Sequence, residues 1–454
     1  MTAPLLDTAN TRSSPRLAWF SPMPPSPSGI AAYSAEVLPC LRARGLVIDV
    51  FVDPSQRPGD GMTAAHDFVW RHRRAPYDLV VYQLGNASCH DYMWGYLFRY
   101  PGLVVLHDGQ VHQARAQGLL ARREPRRDDY LAEFAANHPD APADIGRLIA
   151  AGLGGTLFGH WPLVRLLLQA ARISAVHSAA LATELSTRHE APVRPIPMGV
   201  ADPLATPGPV TAADVRARYG LGPDDLVIGA FGGLTPEKRL PQVLGAVAAL
   251  VSEHPRLHLL LVGTPAPHYD VARDAAAHGI ADRVHLSGYV PDEELGAHLA
   301  ASDICACLRW PTTGETSASW LRALAAGRPT VITDLAHQPE VPVAPPRGRH
   351  DRHANPVAVA VPILGEAIAL RAAFDELARS RDRRAALGAA ARDYWSRRHT
   401  LDHMANAYVT AIDAALARQA PRPPLPFHLR DTGGARLTEL LAPFGVEPPA
   451  GIVE

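Results

Sequence analysis

Lys238 is the one lysine in a chain of 454 residues; the other 43 of its 44 basic side chains are arginine. It stands in Phe231-Gly232-Gly233-Leu234-Thr235-Pro236-Glu237-Lys238-Arg239, directly after an apolar run, Leu226 to Phe231, that reads as a strand. A glycine turn followed by a compact ammonium and a guanidinium at the mouth of a helix suits a phosphate. The backbone can approach the anion, helix-start amides point at it, and the two cations answer its charge. A surface lysine with no ligand is the competing reading of the same residues.

Three other stretches place chemistry at a strand end. Ser21-Pro22-Met23-Pro24-Pro25-Ser26-Pro27-Ser28-Gly29-Ile30 follows the first strand and precedes a helix. Gly29 there lets backbone approach a ligand, although a rigid proline turn fits as well. The stretch is not G-x-G-x-x-G, so it gives a dinucleotide little support. His107-Asp108-Gly109 ends the apolar run Leu103–Leu106. His107 can hydrogen-bond a sugar hydroxyl and Asp108 can orient it or accept its proton; an N-cap aspartate beside a bystander histidine is the alternative. The stretch Trp310 to Trp320 carries Gly314, Glu315, Thr316, Ser317 and Ser319 into the start of a helix that runs to Gly327. Hydroxyls and amides at that end can hold an anion, or simply cap the helix. His112 and His177 read as structural. Tyr92, Trp94 and Tyr96 offer either a sugar-stacking face or packing.

These residues need a scaffold of short strands. Apolar runs at Leu17–Ser21, Val47–Val52, Leu79–Gln83, Val104–His107, Ile173–His177 and Val193–Pro197 are separated by helical patterns. The Pro/Ala-rich stretch Ala201–Thr211 reads as a linker. A second series follows at Val227–Phe231, Leu257–Val262, Val284–Ser287, Ile304–Cys307, Thr330–Thr333 and Ala358–Val361. Strand and helix in alternation predict an α/β chain of two Rossmann-like, doubly wound parallel sheets facing a cleft, with both sets of carboxyl strand ends turned toward it. Three helices are expected from Glu366 to about Arg418, then a proline stretch, Pro421 to Pro426, and a mixed tail.

Composition narrows the function. With 44 basic and 45 acidic residues there is no overall basic field, which argues against nucleic acid as a partner. Cys40 and Cys89 stand alone, and Cys305 and Cys307 alternate on one strand with no second pair of ligands, so neither a disulfide framework nor a metal site is expected. The amino-terminal stretch Met1–Pro15 lacks an apolar core, and no run of about 18 apolar residues occurs. A cytoplasmic protein is expected. The cluster Arg122, Arg123, Arg126 and Arg127 reads as a solvated face, or as a patch for acceptor phosphate or for peripheral contact with anionic lipid.

The order of these motifs resembles the retaining glycosyltransferases of family 4, with the GT-B fold, over residues 16 to about 415. The likeness is carried by Phe231–Leu240, Leu257–Gly263, Val284-His285-Leu286-Ser287-Gly288-Tyr289-Val290, and Ala301-Ser302-Asp303 leading into Leu321–Asp334. Ser28-Gly29-Ile30 is similar to the family's glycine loop and Leu106-His107-Asp108 to its acceptor-side histidine strand. The resemblance implies an acceptor-side domain over 1–200, a nucleotide-sugar domain over 212–398, a helix over 399–420 that crosses back, and a proline-rich linker and tail over 421–454. It implies transfer of a sugar from a nucleotide diphosphate sugar to a sugar, lipid-linked or small-molecule acceptor hydroxyl, without a metal or other cofactor. Donor contacts would fall on Gly29, Gly233, Lys238, Arg239, Tyr289, Val290, Glu315, Thr316, Ser317 and Ser319, with Lys238, Arg239, His107, Asp108 and Glu315 at the chemistry. The family's Gly-Arg is Gly232-Gly233 in this chain, so Arg239 is the expected second cation. Its Glu-x7-Glu pair falls on Gly314 and Arg322, with Glu315 one place later. That break leaves two alternatives standing, a non-catalytic GT-B scaffold and a nucleotide-sugar epimerase.

Overall fold

The computed structural model describes residues 14–155, 157–335, 339–345 and 355–447. The chain forms two compact units: unit 1 comprises residues 1–176, 182–195 and 408–454, and unit 2 comprises 177–181 and 196–407.

Unit 1 holds a parallel sheet of β1 (Arg16–Phe20), β2 (Val47–Val52), β3 (Met62–Ala64), β4 (Leu79–Leu84), β5 (Leu103–Leu106), β6 (Ile173–Val176) and β7 (Val193–Pro195). The spatial order is β3-β2-β1-β4-β5-β6-β7, so the winding reverses between β1 and β4. The central strands are apolar without alternation because helices cover both faces; Leu17, Ala18, Trp19 and Phe20 are wholly buried. The helix Gly29–Arg42 starts where the Ser28 side chain accepts from the Ile30 amide, and it buries Ala31, Tyr33, Val37, Leu38 and Leu41. The helix Leu401–Leu416 gives its residues through Ala407 to unit 2 and those from Tyr408 to unit 1. Tyr408 packs on Trp19, with ring centroids 5.4 Å apart, and shares hydroxyl hydrogen bonds with Tyr33 and Gln83. The tail returns to this unit as well. His428, in the short helix Phe427–Arg430, sits 3.2 Å from Asp129 and 2.7 Å from Glu133.

Unit 2 repeats the plan with β8 (Leu226–Phe231), β9 (Leu257–Val262), β10 (Val284–Gly288), β11 (Ile304–Cys307), β12 (Thr330–Thr333), β13 (Val343–Ala344) and β14 (Ala358–Val361). The order is β10-β9-β8-β11-β12-β14-β13, again with a reversal, between β8 and β11. The helix Leu240–Ala248 buries Leu240, Val243, Leu244 and Val247, the i, i+3, i+4, i+7 stripe of a helix lying on a sheet. All twelve expected strands are present. The two unforeseen ones, β3 and β13, are edge strands of three and two residues, too short to show a period.

Candidate functional site

In unit 2 the chemistry gathers at the carboxyl ends of β8, β11 and β12, beside the reversal, where doubly wound sheets bind ligands. β8 ends at Phe231, and Gly232 turns the chain with φ 86°, a left-handed value that glycine adopts without strain. A short turn, Pro236–Lys238, then brings the Lys238 ammonium back to donate to the Phe231 carbonyl. A side chain on Gly232 would meet Lys238 Nζ at 2.6 Å and Ser319 Oγ at 3.1 Å, so the lysine turn and the helix Ala318–Ala325 converge on one bare backbone position. The two loops are also joined directly, since the Trp310 amide donates to the Glu237 carbonyl at 2.7 Å. The sequence pattern starts this helix at Thr316, but it begins two residues later: Ser317 is its cap, accepting from the Trp320 amide, which leaves Thr316 in the loop.

Electrostatics mark Lys238 as unusual. Burial around the ammonium pushes its pKa down to about 7, and the positive charge of Arg309 adds to the effect. Glu315 is displaced the opposite way from what its surroundings alone would do. Burial would raise its carboxyl, but Arg309 and hydrogen bonds from the Thr312 and Thr313 hydroxyls and its own loop hold it below its usual value. Arg309 Nε stands 2.8 Å from Glu315 Oε1, and its amide is pinned to the Thr333 hydroxyl at the end of β12. Burial pushes the neighbouring Cys307 thiol up to about 12, so it stays protonated. Cys307, Arg309, Glu315, Ser317 and Thr333 border a cavity of about 30 Å³, room for a single water.

Arg309 is the residue that sequence reading passed over, although a guanidinium two places beyond an apolar strand was a visible signal. Arg239, expected as the partner cation of Lys238, is engaged elsewhere. Its Nε lies 2.9 and 3.0 Å from the two oxygens of Glu366, a buried carboxylate 127 residues along the chain. Arg239 also takes φ 57°, a left-handed conformation that glycine adopts more readily than any side-chain-bearing residue, and its fork on Glu366 fixes that turn. Gly233 is exposed, and a side chain there would touch no protein atom within 4 Å. Tyr289, just past β10, is 78% exposed, while Val290 packs against the unit's core. Arg322 occupies a partly exposed turn of the helix Ala318–Ala325.

Unit 1 carries its own set at the equivalent strand ends. His107 follows β5, is buried, and shares a 2.8 Å hydrogen bond with Gln83, its ring edge-on to Tyr33 at 4.6 Å. Asp108 Oδ2 accepts from the Asn86 amide at 2.7 Å and thereby ties the end of β5 to the turn after β4. That turn holds Gly85, where any side chain would run into Ile30 at 2.5 Å, His90 at 3.2 Å and Asp108 at 3.3 Å. The Gly29 helix start, the Gly85 turn and Asp108 thus meet at one place, while a side chain on Gly29 itself would touch nothing. Beside them lies a cavity of about 480 Å³ lined by Ser26, Asp53, Ser55, Gln56, Ser88 and Cys89 together with Pro22 and Pro25. Tyr92, Trp94 and Tyr96 are packing residues: the Tyr92 hydroxyl donates to the Phe51 carbonyl, Trp94 lies under Arg115, and the Tyr96 ring packs tilted against Phe20. His112 is buried against Tyr130. Of the arginine cluster, Arg122 pairs with Asp91 and Arg126 with Asp129. Among the described residues no helix is long and apolar enough to cross a membrane.

Comparison with known proteins fits this geometry. Residues 225–350, the stretch that contains the Lys238 site, match the family model described as glycosyl transferases group 1. A GDP-mannose-dependent alpha-(1-6)-phosphatidylinositol monomannoside mannosyltransferase of Mycolicibacterium smegmatis is 33% identical over 111 residues, 24% of this chain and 29% of that protein. A 2-deoxystreptamine glucosyltransferase of Streptomyces kanamyceticus is 29% identical over 157 residues, 34% of this chain and 39% of its own length. The chain therefore spans well under two thirds of these relatives. A sucrose-phosphate synthase from Thermosynechococcus elongatus superposes with a TM-score of 0.61 at 18% identity, covering 89% of this chain and 99% of that one. The fold is GT-B, two parallel seven-stranded sheets flanked by helices, as the motif order implied.

Proposed function

We propose that the chain is a retaining glycosyltransferase that binds a nucleotide diphosphate sugar at the Lys238 site and passes the sugar to an acceptor hydroxyl. The observation that carries this reading is Lys238: an ammonium buried at a glycine turn, facing a helix start, inside the segment that matches the group 1 family. As the bond from the sugar's anomeric carbon to the diphosphate breaks, its electron pair moves onto the phosphate oxygen. Fixed cations and helix amides favour that charge. Lys238 supplies the first cation. Arg309, which already acts on Lys238 electrostatically, supplies the second in place of Arg239. The acceptor oxygen bonds to the same carbon from the face the diphosphate leaves, and its proton passes to the departing phosphate oxygen. No protein nucleophile is required, and side chains provide the positive charge a metal would otherwise bring.

The cavity beside Gly29 and Asp108 suits the acceptor. Its one charged lining side chain is Asp53, and the others are hydroxyls, an amide, a thiol and prolines. Such a wall favours a neutral or amine-bearing polyol over an anionic lipid headgroup, which would meet a carboxylate and no cation. Incubating the chain with a panel of nucleotide sugars and polyol acceptors tests the reading. Released nucleoside diphosphate and a product of unchanged anomeric configuration by NMR are expected, and an inverted product rules out retention. Gly314 and Arg322 at the Glu-x7-Glu positions favour a second reading, a binding scaffold without turnover. Nucleotide binding with no sugar release from any donor would select it.

A further inference from the structure

A second large cavity, about 490 Å³, lies at the other ends of the unit 1 strands. Arg172 immediately precedes β6 and Pro192 immediately precedes β7, and both line it. It therefore opens at the amino ends of these strands, away from the carboxyl-end loops that carry Gly29, Gly85 and Asp108. Its remaining wall comes from the helix Arg165–Ala170, the end of the helix Ala179–His189, and the extended chain Arg418–Pro424 beyond the helix Leu401–Leu416. Nothing in the transfer reaction uses it.

Its charge is one-sided. Arg165, Arg172, Arg418 and Arg422 line it, against one carboxylate, Glu190. Among the described residues none of the four arginines is in an ion pair; Arg172 Nε donates only to the Pro101 carbonyl, at 3.1 Å, which fixes the side chain and leaves its charge unanswered. The carboxyl ends of two helices supply partial negative charge that can support a cation each. That does not account for Arg165, which stands at the first residue of its helix, where the dipole opposes a cation. His189 adds an unused group: its Nε2 is buried with no hydrogen-bond partner among the described residues. Burial, then the charges of Arg188 and Arg165, hold this imidazole neutral, with a pKa near 4, a second sign that the local field is positive. Unpaired guanidinium groups gathered at a concavity repel one another unless an anion is shared among them, and planar guanidinium forks match phosphate oxygens in pairs.

We propose that this pocket binds a phosphomonoester, held by Arg165, Arg172, Arg418 and Arg422. The volume accommodates a sugar-phosphate-sized molecule. Because the pocket faces away from the transfer loops, its occupant is an effector or an anchor rather than a substrate of the transfer. Two sources share this chemistry, a free sugar phosphate and the exposed phosphate of a lipid such as phosphatidic acid.

The test measures binding of glucose 6-phosphate by calorimetry at constant ionic strength. It also measures co-sedimentation with phosphatidylcholine vesicles, with and without phosphatidic acid. Three proteins are compared: the full chain, its Lys238→Ala variant, and a double Arg165→Gln/Arg422→Gln variant whose fold is checked by its melting curve. Arg422→Gln alone, in an exposed extended segment, serves if the double variant does not fold. The full chain and Lys238→Ala are expected to bind at least one probe equally, which separates this pocket from the proposed donor site. The double variant is expected to bind that probe at least about tenfold more weakly. Soluble-probe binding identifies a free phosphate as the source, and vesicle binding alone identifies a lipid. The proposal is overturned if neither probe binds the full chain, if the double variant binds as tightly, or if Lys238→Ala abolishes the binding.

Discussion

Lys238 and Arg239 are adjacent in sequence and opposite in role. The ammonium of Lys238 is held near the Phe231 carbonyl with its pKa lowered to about 7, against an ordinary lysine value of 10.5. In the unfolded chain that lysine binds its proton more tightly than in the fold, so burial penalises the folded state fully below pH 7. The penalty is relieved as pH rises from 7 toward 10.5. Replacing it with methionine is therefore expected to raise the melting temperature most below pH 7, with the gain shrinking by pH 10; a gain that grows with pH would refute the burial argument. Arg239, by contrast, is a structural fork on buried Glu366. Arg239→Ala leaves that carboxylate unpaired and is expected to cost about 3 kcal/mol in denaturant unfolding. Any loss of nucleotide binding should follow the loss of fold. Sequence reading could not tell these roles apart, because the partner that captures Arg239 lies 127 residues away on a different helix.

At the scale of elements, Gly232 is the joint of the proposed donor site. Its φ of 86° strains any side chain, and a methyl group there would stand 2.6 Å from Lys238 Nζ, so the ammonium would have to move. Gly232→Ala is expected to cost about 1–2 kcal/mol of stability. It should also weaken nucleoside diphosphate binding beyond what that loss explains, because the methyl displaces the ammonium; unchanged binding would separate Gly232 from the site. This joint was legible in the sequence, as glycine turns after apolar strands are among its clearest signals. The strands were equally legible, since their apolar runs are continuous where both faces are covered. β3 and β13 were not, because two or three residues of edge strand carry no pattern. Arg309 was not legible as a site residue, because the hydroxyls after it carry the helix-start pattern and only the folded chain places it beside both Lys238 and Glu315. The Asp53 cavity was invisible because Ser26, Asp53 and Ser88 come from three separate loops.

For the molecule as a whole, the tail beyond the last long helix is part of unit 1. Arg115 and Glu133 form a buried pair at 2.5 Å; Asp91 meets Arg115 at 2.7 Å, and His428 from the tail closes on Glu133. Burial alone would raise the Glu133 carboxyl, but Arg115 and His428 hold it below its usual value, so it contributes stability at neutral pH that is lost as acid protonates it. Glu133→Gln is expected to destabilise unit 1 by about 3 kcal/mol, read as an earlier unfolding transition. The loss should be largest at neutral pH and smaller in acid; equal losses at all pH values would contradict the pairing. The most direct test of the proposed function is calorimetric titration of nucleoside diphosphates at pH 8, in two buffers of different ionisation enthalpy, with the full chain and Lys238→Ala. An anion beside Lys238 restores its proton, so the full chain is expected to bind with net proton uptake, and Lys238→Ala to lose the uptake and most of the affinity. Binding of equal strength in both proteins, or no binding of any nucleoside diphosphate to the full chain, would contradict the assignment of Lys238 to the donor phosphate.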